Sequence, residues 1–130
     1  MTTALEHYEN KLRYETDSWD LSEMIKAGEK VVVIDARSPE AYAKEHIPGS
    51  INLPHRTMSE ETVKLITKEA LIVVYCDGIG CNASTKGAIN MTKLGFRVKE
   101  LLGGLDWWKR DGYATDKDNN LKADATCGCA

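Results

Sequence analysis

Long hydrophobic runs are absent from this 130-residue chain, whose longest apolar segment spans only a few residues. A helix needs about 20 consecutive apolar residues to cross a bilayer, so no membrane span is predicted. The N-terminus is polar and lacks the apolar stretch, followed by small residues, of a secretory signal. We therefore expect a cytoplasmic protein with no membrane partner.

An excess of basic residues is also absent, because 17 Lys and Arg stand against 20 Asp and Glu, for a net charge of -3. No nucleic-acid partner is predicted, since no basic face is available to attract one. Hydrophobic content of 42% and charged content of 28% are ordinary for a globular chain. We expect one domain over residues 1–114, with an N-terminal extension at 1–16, and a polar, flexible tail at 115–130.

Cysteines are few, and the four present fall into two groups. Cys76 and Cys81 share one loop, and Cys127 and Cys129 share the tail. Without an export signal, they are interpreted as thiols rather than as a disulfide framework. The tail pair is a candidate for accessory thiols, a redox pair or a metal clip. Because the C-x-C and C-x4-C spacings differ from those of structural zinc sites, no metal and no cofactor is predicted.

Short apolar runs alternate with helical segments along the chain. Strands are predicted at 12–16, 31–34, 50–53, 71–75 and 96–102, and helices at 3–10, 18–27, 38–44, 59–69, 83–94 and 105–110. This order predicts an α/β fold with a central, mostly parallel five-stranded sheet and helices on both faces. Ligands bind such sheets at the carboxyl ends of the strands, where Asp35 and Cys76 fall.

The segment at 71–84 is the most informative, because Cys76 ends an apolar strand and precedes a glycine-containing loop and a helix. Asn82 is the expected cap of that helix. The positive end of a helix lowers the pKa of a nearby thiol, so we predict that Cys76 is an exposed nucleophile. A buried structural cysteine is the alternative. The carboxylate of Asp77 disfavours the thiolate, and Lys86, one turn into the helix, is a candidate for offsetting it.

Cys81 lies five positions after Cys76, close enough for the two sulfurs to meet in a tight loop. It is interpreted either as a thiol that attacks an oxidised Cys76 or as a packed loop residue. The reverse assignment, with Cys81 as the nucleophile, stays open because Cys81 lies nearer to the helix. Of the pair Trp107 and Trp108 on the last helix, we expect one ring to be buried and the other exposed.

Three segments, taken in order, resemble the rhodanese-type sulfurtransferase family. They are VVVIDARSPEAYAKEHIPGSINLP at 31–54, VVYCDGIGC at 73–81 and LGFRVKELLGGLDWWKRDGY at 94–113. The resemblance implies that Cys76 cycles between thiol and persulfide, moving sulfane sulfur from a small donor such as thiosulfate, a persulfide or a polysulfide to a thiol acceptor, which can be a protein. It also implies that Asp35 and Arg37 form a structural pair beside the active-site loop. That loop comprises Asp77, Gly78, Ile79, Gly80, Cys81 and Asn82.

The loop departs from the common pattern of the family, in which an arginine near its far end binds the anionic donor. The loop from Cys76 to Asn82 is one residue longer than usual and equals that of the related cell-cycle phosphatase and arsenate reductase branch, which also has an arginine at the last position. A doubly charged oxyanion needs bidentate, cationic recognition, so phosphatase and arsenate reductase activities are disfavoured. Backbone amides can hold the single charge of a persulfide, which favours a persulfide or polysulfide donor over thiosulfate.

A different class of function is the alternative. In it, the chain is a non-catalytic binding or redox-sensing module in which Cys76 and Cys81 form a reversible disulfide. The missing arginine and the presence of Asp77 motivate this interpretation. In the sulfurtransferase hypothesis, Cys127 and Cys129 are candidates for accessory thiols.

Overall fold

The computed structural model describes residues 3–118 and contains a five-stranded sheet in which all neighbouring strands are parallel. The strands are β1 Glu15–Thr16, β2 Val31–Asp35, β3 Ile51–Asn52, β4 Leu71–Tyr75 and β5 Arg97–Leu101. Their order across the sheet is β1-β5-β4-β2-β3. The predicted α/β fold with a parallel sheet is confirmed.

In the described part of the chain, five helices connect and cover these strands. They are α1 Ala4–Tyr14, α2 Ser18–Lys26, α3 Pro39–Lys44, α4 Ala83–Lys93 and α5 Gly104–Arg110, with a 3-10 turn at His55–Thr57. The start of α3 is encoded locally, because the Ser38 hydroxyl accepts a bond from the amide of Ala41 and Pro39 takes the first helical position. Within residues 3–118, no helix has the length and apolar character needed to cross a membrane.

β4 and, up to Asp35 at its end, β2 consist of apolar residues, because both faces of the sheet are buried there. Successive side chains of a strand point to opposite faces. On one face, Ile34 and Val74 pack with α4 residues such as Met91. On the other, Val73 and Tyr75 belong to a separate cluster built with side chains of α2 and α5, namely Leu21, Leu105 and Trp108. The predicted placement of helices on both faces is thereby confirmed.

The helix predicted at residues 59–69 is wrong, because this segment forms successive turns. Side-chain hydroxyls bind the backbone here: the amide of Ser59 donates to Oγ1 of Thr62 (2.8 Å), and that hydroxyl donates to the carbonyl of Thr57 (2.7 Å). Such bonds offer the backbone an alternative to helical ones. The β-branched residues Thr62, Val63, Ile66 and Thr67 further lower helix propensity.

Both ends of the chain differ from the sequence-based boundaries. The strand predicted at 12–16 is reduced to Glu15–Thr16, because α1 continues to Tyr14. The first residues of the tail, which was predicted to start at 115, are hydrogen-bonded to the segment that contains α3 and His46. His46 and Asp116 exchange two backbone hydrogen bonds of 2.9 Å, and the amide of Asp118 donates to the carbonyl of Ala43 (2.7 Å).

Candidate active site

The carboxyl ends of the parallel strands meet at one edge of the sheet. Arg37 follows β2 there, Cys76 and Asp77 follow β4, and Gly103 follows β5. This edge is the common location of ligand sites in open α/β sheets. The structure therefore brings together the β2 and β4 residues that the sequence singled out.

Cys76 is buried, with 1% of its surface exposed, in the core on the α4 face. The expectation of an exposed Cys76 is wrong for this state, in which Cys76 packs in the core and its Sγ is joined to the Sγ of Cys81 in a disulfide. The Cα atoms of the two residues are 6.3 Å apart, and Cys81 is half-buried. The two loop sulfurs thus meet, as their spacing allowed.

The loop turns back on itself between the two cysteines. Gly80 has a φ of 92°, a left-handed conformation that favours glycine, and the amide of Cys81 donates to the carbonyl of Gly78 at 3.3 Å. Ile79, at the tip, is 81% exposed. Asn82 occupies the N-cap position of α4, as predicted, but its side chain makes no capping hydrogen bond within the described residues. Helix α4 then begins at Ala83, with the first-turn amides that a helix leaves without helical acceptors.

Arg37 links the two aspartates at this edge. Its guanidinium bonds both carboxylate oxygens of Asp35 at 2.7–3.1 Å, and its Nη1 donates to Oδ1 of Asp77 at 2.8 Å. Burial alone would lower the pKa of Arg37, but pairing with Asp35 and Asp77 raises it, so the cation persists. The predicted pair of Asp35 and Arg37 is present. The ion pair to Asp77 comes from Arg37 rather than from Lys86, which lies exposed on α4.

The start of α5 supports the loop through two backbone hydrogen bonds. This contact was not predicted from the sequence. The amide of Leu105 donates to the carbonyl of Cys76 (3.0 Å), and the amide of Asp106 donates to the carbonyl of Asp77 (2.7 Å). A Cβ atom at Gly104, where φ is 54°, would overlap the Cys76 carbonyl. The Gly-Gly pair after β5 is the sequence signal for this contact, because residues without a Cβ allow the close approach.

A family model of the rhodanese-like domain matches residues 19–111. The chain belongs to the rhodanese-like domain family. Its fold is similar to the solved structure of the BH2092 protein from Bacillus halodurans, which is 44% identical, with a TM-score of 0.86 over 95% of this chain and 90% of that one.

Two curated relatives match the same part of this rhodanese-like domain. The thiosulfate sulfurtransferase GlpE of Coxiella burnetii is 32% identical over 92 residues, which are 69% of this chain and 82% of the enzyme. The HTH-type transcriptional regulator Rv0324 of Mycobacterium tuberculosis is 34% identical over 92 residues, 71% of this chain. The match spans only 40% of the regulator's length.

Other side chains of the rhodanese-like domain were also assigned from sequence. Trp108 is buried and Trp107 is 42% exposed, so the expected division of the pair is confirmed. Among residues 3–118, no group of three or more His, Cys, Asp or Glu side chains is arranged to hold a metal ion. Cys127 and Cys129 lie outside the described residues, and their role stays a prediction.

Proposed function

We propose that this rhodanese-like domain is a sulfurtransferase that carries sulfane sulfur on Cys76. Family membership and the similarity to a thiosulfate sulfurtransferase support a general sulfurtransferase role. The observation that carries the proposal is that the loop accommodates a second sulfur on Cys76 Sγ, at the carboxyl edge of the sheet. In the structure that sulfur belongs to Cys81. In the proposed persulfide, the transferred sulfur takes its place.

The cycle starts from the reduced loop, which two thiols of a reductant generate by exchange with the disulfide. The Cys76 thiolate attacks the outer sulfur of a persulfide donor. The donor's S–S bond breaks, the donor leaves as a thiolate, and Cys76 becomes a persulfide. The thiolate of an acceptor then attacks the outer sulfur, which restores the Cys76 thiolate and leaves a persulfide on the acceptor. Atoms and charges balance, with no net oxidation in the transfer.

The electrostatics of the loop favour a singly charged donor. Arg37 partly neutralises the Asp77 carboxylate, and the first-turn amides of α4 supply positive potential near the loop. Arg37 is fully engaged, however, by Asp35, Asp77 and the carbonyl of Glu45. Because Asn82 replaces the arginine common in the family, nothing at that position provides bidentate binding of a dianion. We therefore propose a persulfide or polysulfide donor rather than thiosulfate.

The disulfide supports a second candidate, a redox-responsive module. In that case, oxidation joins Cys76 to Cys81 and changes the surface of the loop, and no sulfur is carried. Chemistry distinguishes the two candidates, because a sulfur carrier gains one sulfur atom whereas a sensor only loses two hydrogens.

Sulfur transfer by purified, reduced protein tests the proposal. Glutathione persulfide serves as the donor and 2-mercaptoethanol as the acceptor. We expect Cys76→Ser to abolish transfer and Cys81→Ser to retain loading of Cys76, with partial loss of transfer or a changed acceptor preference. Circular dichroism checks that each variant is folded. Full transfer by folded Cys76→Ser would refute the assignment.

A further inference from the structure

A groove with a volume of about 380 Å³ lies beside the active-site loop. Ile79, from the loop itself, lines the groove together with Leu102 and Trp107. These three apolar side chains are 81%, 43% and 42% exposed, respectively. Burying apolar surface of this kind against a ligand is favourable by about 25 cal/mol per Å², so the groove favours an apolar occupant.

The groove borders the loop that carries Cys76, because Ile79 of that loop lines it. Gly103 lines it, and the carbonyl of Gly103 lies 3.5 Å from the position that a Cβ on Gly78 would take. The next residue, Gly104, packs directly on the carbonyl of Cys76. A group held in the groove therefore lies against the same loop segment that carries Cys76 and Cys81.

The charge around the groove argues against an anion. Asp17 and Asp111 line it, and no Lys or Arg among residues 3–118 does so. Arg110 lies over the Trp107 ring, but its charge is paired with Asp106. A carboxylate or thiosulfate in the groove would meet like charge, whereas a neutral group would not.

One buried polar atom also points to a ligand. Ser18 lines the groove and is 2% exposed. Its Oγ is the one buried side-chain oxygen or nitrogen, among residues 3–118, that lacks a hydrogen-bond partner. Buried polar groups in proteins are normally bonded, so this hydroxyl marks a wall where the sulfur of a bound thiol or persulfide, rather than its apolar group, would supply the missing contact.

We propose that this groove binds the uncharged, apolar organic group of a small thiol or persulfide that exchanges sulfur with Cys76. The proposal rests on the proposed sulfurtransferase function and names its substrate class. Apolar contact with Ile79, Leu102 and Trp107 holds the organic group. The carboxylates of Asp17 and Asp111 select against anionic substituents.

Acceptor kinetics test the substrate class. With Cys76 loaded from glutathione persulfide, benzyl mercaptan should have a KM at least about tenfold below that of 2-mercaptoethanol, since one well-buried apolar group discriminates by that order. Trp107→Ala should raise the KM for benzyl mercaptan about tenfold and leave 2-mercaptoethanol unchanged. Leu65→Ala, which removes a 93% exposed side chain outside the groove, is the matched control. Equal KM values for the two thiols, or an equal effect of Trp107→Ala on both, would overturn the proposal.

A separate substitution tests the proposed discrimination against anionic acceptors. Asp111→Asn should increase kcat/KM for 3-mercaptopropionate about two- to threefold, with benzyl mercaptan unchanged, because one repulsive surface charge is removed. An identical response of both acceptors would contradict the assigned role of Asp111.

Binding without chemistry separates failure of the groove from failure of sulfur transfer. Benzyl methyl sulfide carries no transferable sulfur, and NMR titration of the wild-type protein should shift the amides of Ile79, Leu102 and Gly103 and the indole of Trp107. The indole of buried Trp108, bonded to the carbonyl of Ala114, is the internal reference and should not move. Absent or scattered chemical-shift changes would refute ligand binding in the groove even if Cys76 carries sulfur. Localised shifts without any Cys76 persulfide would instead refute the proposed function.

Discussion

At the scale of single residues, Arg37 organises the carboxyl edge of the sheet. It is 4% exposed and contacts a fully buried carboxylate, that of Asp35, together with the half-buried Asp77 beside Cys76. A guanidinium suits this place because its planar fork bonds two carboxylates at once. The pair thereby fixes the backbone that follows β2 against the loop that follows β4.

Replacing this cation should be costly. Arg37→Met leaves the Asp35 carboxylate buried without its partner, and we expect the free energy of unfolding to fall by about 3–5 kcal/mol. The control is Arg110→Met, which removes an exposed pair with Asp106 and should cost less than about 1 kcal/mol. Urea denaturation measures both variants, and similar small losses would contradict the structural role of Arg37.

His55 gives the stability a pH dependence. Burial lowers its pKa below the ordinary value of 6.5, with the charges of Lys86 and Arg56 acting in the same direction. As the pH falls below about 6.5, the unfolded chain therefore binds a proton before the folded chain does, and stability decreases. Between about pH 7.5 and about pH 5.5, we expect His55→Gln to lose less unfolding free energy than the wild type. An equal loss in both proteins would show that His55 does not contribute.

At the scale of structural elements, the start of α5 supports the active-site loop. Its amides bond the carbonyls of Cys76 and Asp77, and the positive φ values of Gly103 and Gly104 let the helix begin directly against the loop. The loop therefore depends on residues that follow their bonding partners by 29 positions in the sequence.

A pair of glycine substitutions isolates this contact. Gly28→Ala adds a methyl group at a φ of 70° with no atom within 4 Å, so only the left-handed conformation is penalised, by about 1–2 kcal/mol. Gly104→Ala has the same type of φ but also overlaps the Cys76 carbonyl. We expect a larger loss of stability and slower sulfur loading of Cys76. Equal stability losses and normal loading in both variants would contradict the supporting role of α5.

The sequence predicted well those elements that are specified by their own residues or by the residues next to them. β2 and β4 are apolar because both their faces are buried, and α3 is specified by Ser38 and Pro39. The helix prediction for residues 59–69 failed because hydroxyl–backbone hydrogen bonds replace helical ones there. Composition alone does not reveal these bonds.

The site was predictable only in part. The position of Cys76 after β4 and its nearness to Cys81 followed from order and spacing. Two features depend on tertiary contacts between distant segments. They are the ion pair between Arg37 and Asp77, which are 40 positions apart, and the hydrogen bonds from α5 to the loop. The burial of Cys76 likewise reflects packing against α4, which its loop sequence did not indicate.

At the scale of the whole molecule, two apolar cores on opposite faces of the sheet hold the edge where the loop lies. The disulfide adds a further constraint across a sequence separation of five residues. The proposed chemistry requires this bond to be broken, so the reactive form of the domain is the less constrained one.

Reduction should therefore lower the stability of the domain. Opening a loop of this length removes about 2 kcal/mol of unfolding free energy in the chain-entropy description. Urea denaturation with and without a phosphine reductant measures the difference, and Cys81→Ser, which cannot form the bond, should show none. A reductant effect that persists in Cys81→Ser would locate its cause elsewhere in the chain.

Cys76 is the proposed sulfur carrier, and mass spectrometry of the reduced protein after exposure to glutathione persulfide tests this role most directly. The predicted result is a gain of one sulfur atom, mapped by peptide analysis to Cys76 and removed when an acceptor thiol is added. A loss of two hydrogens with no added sulfur, or a stable gain confined to another cysteine, would contradict the account.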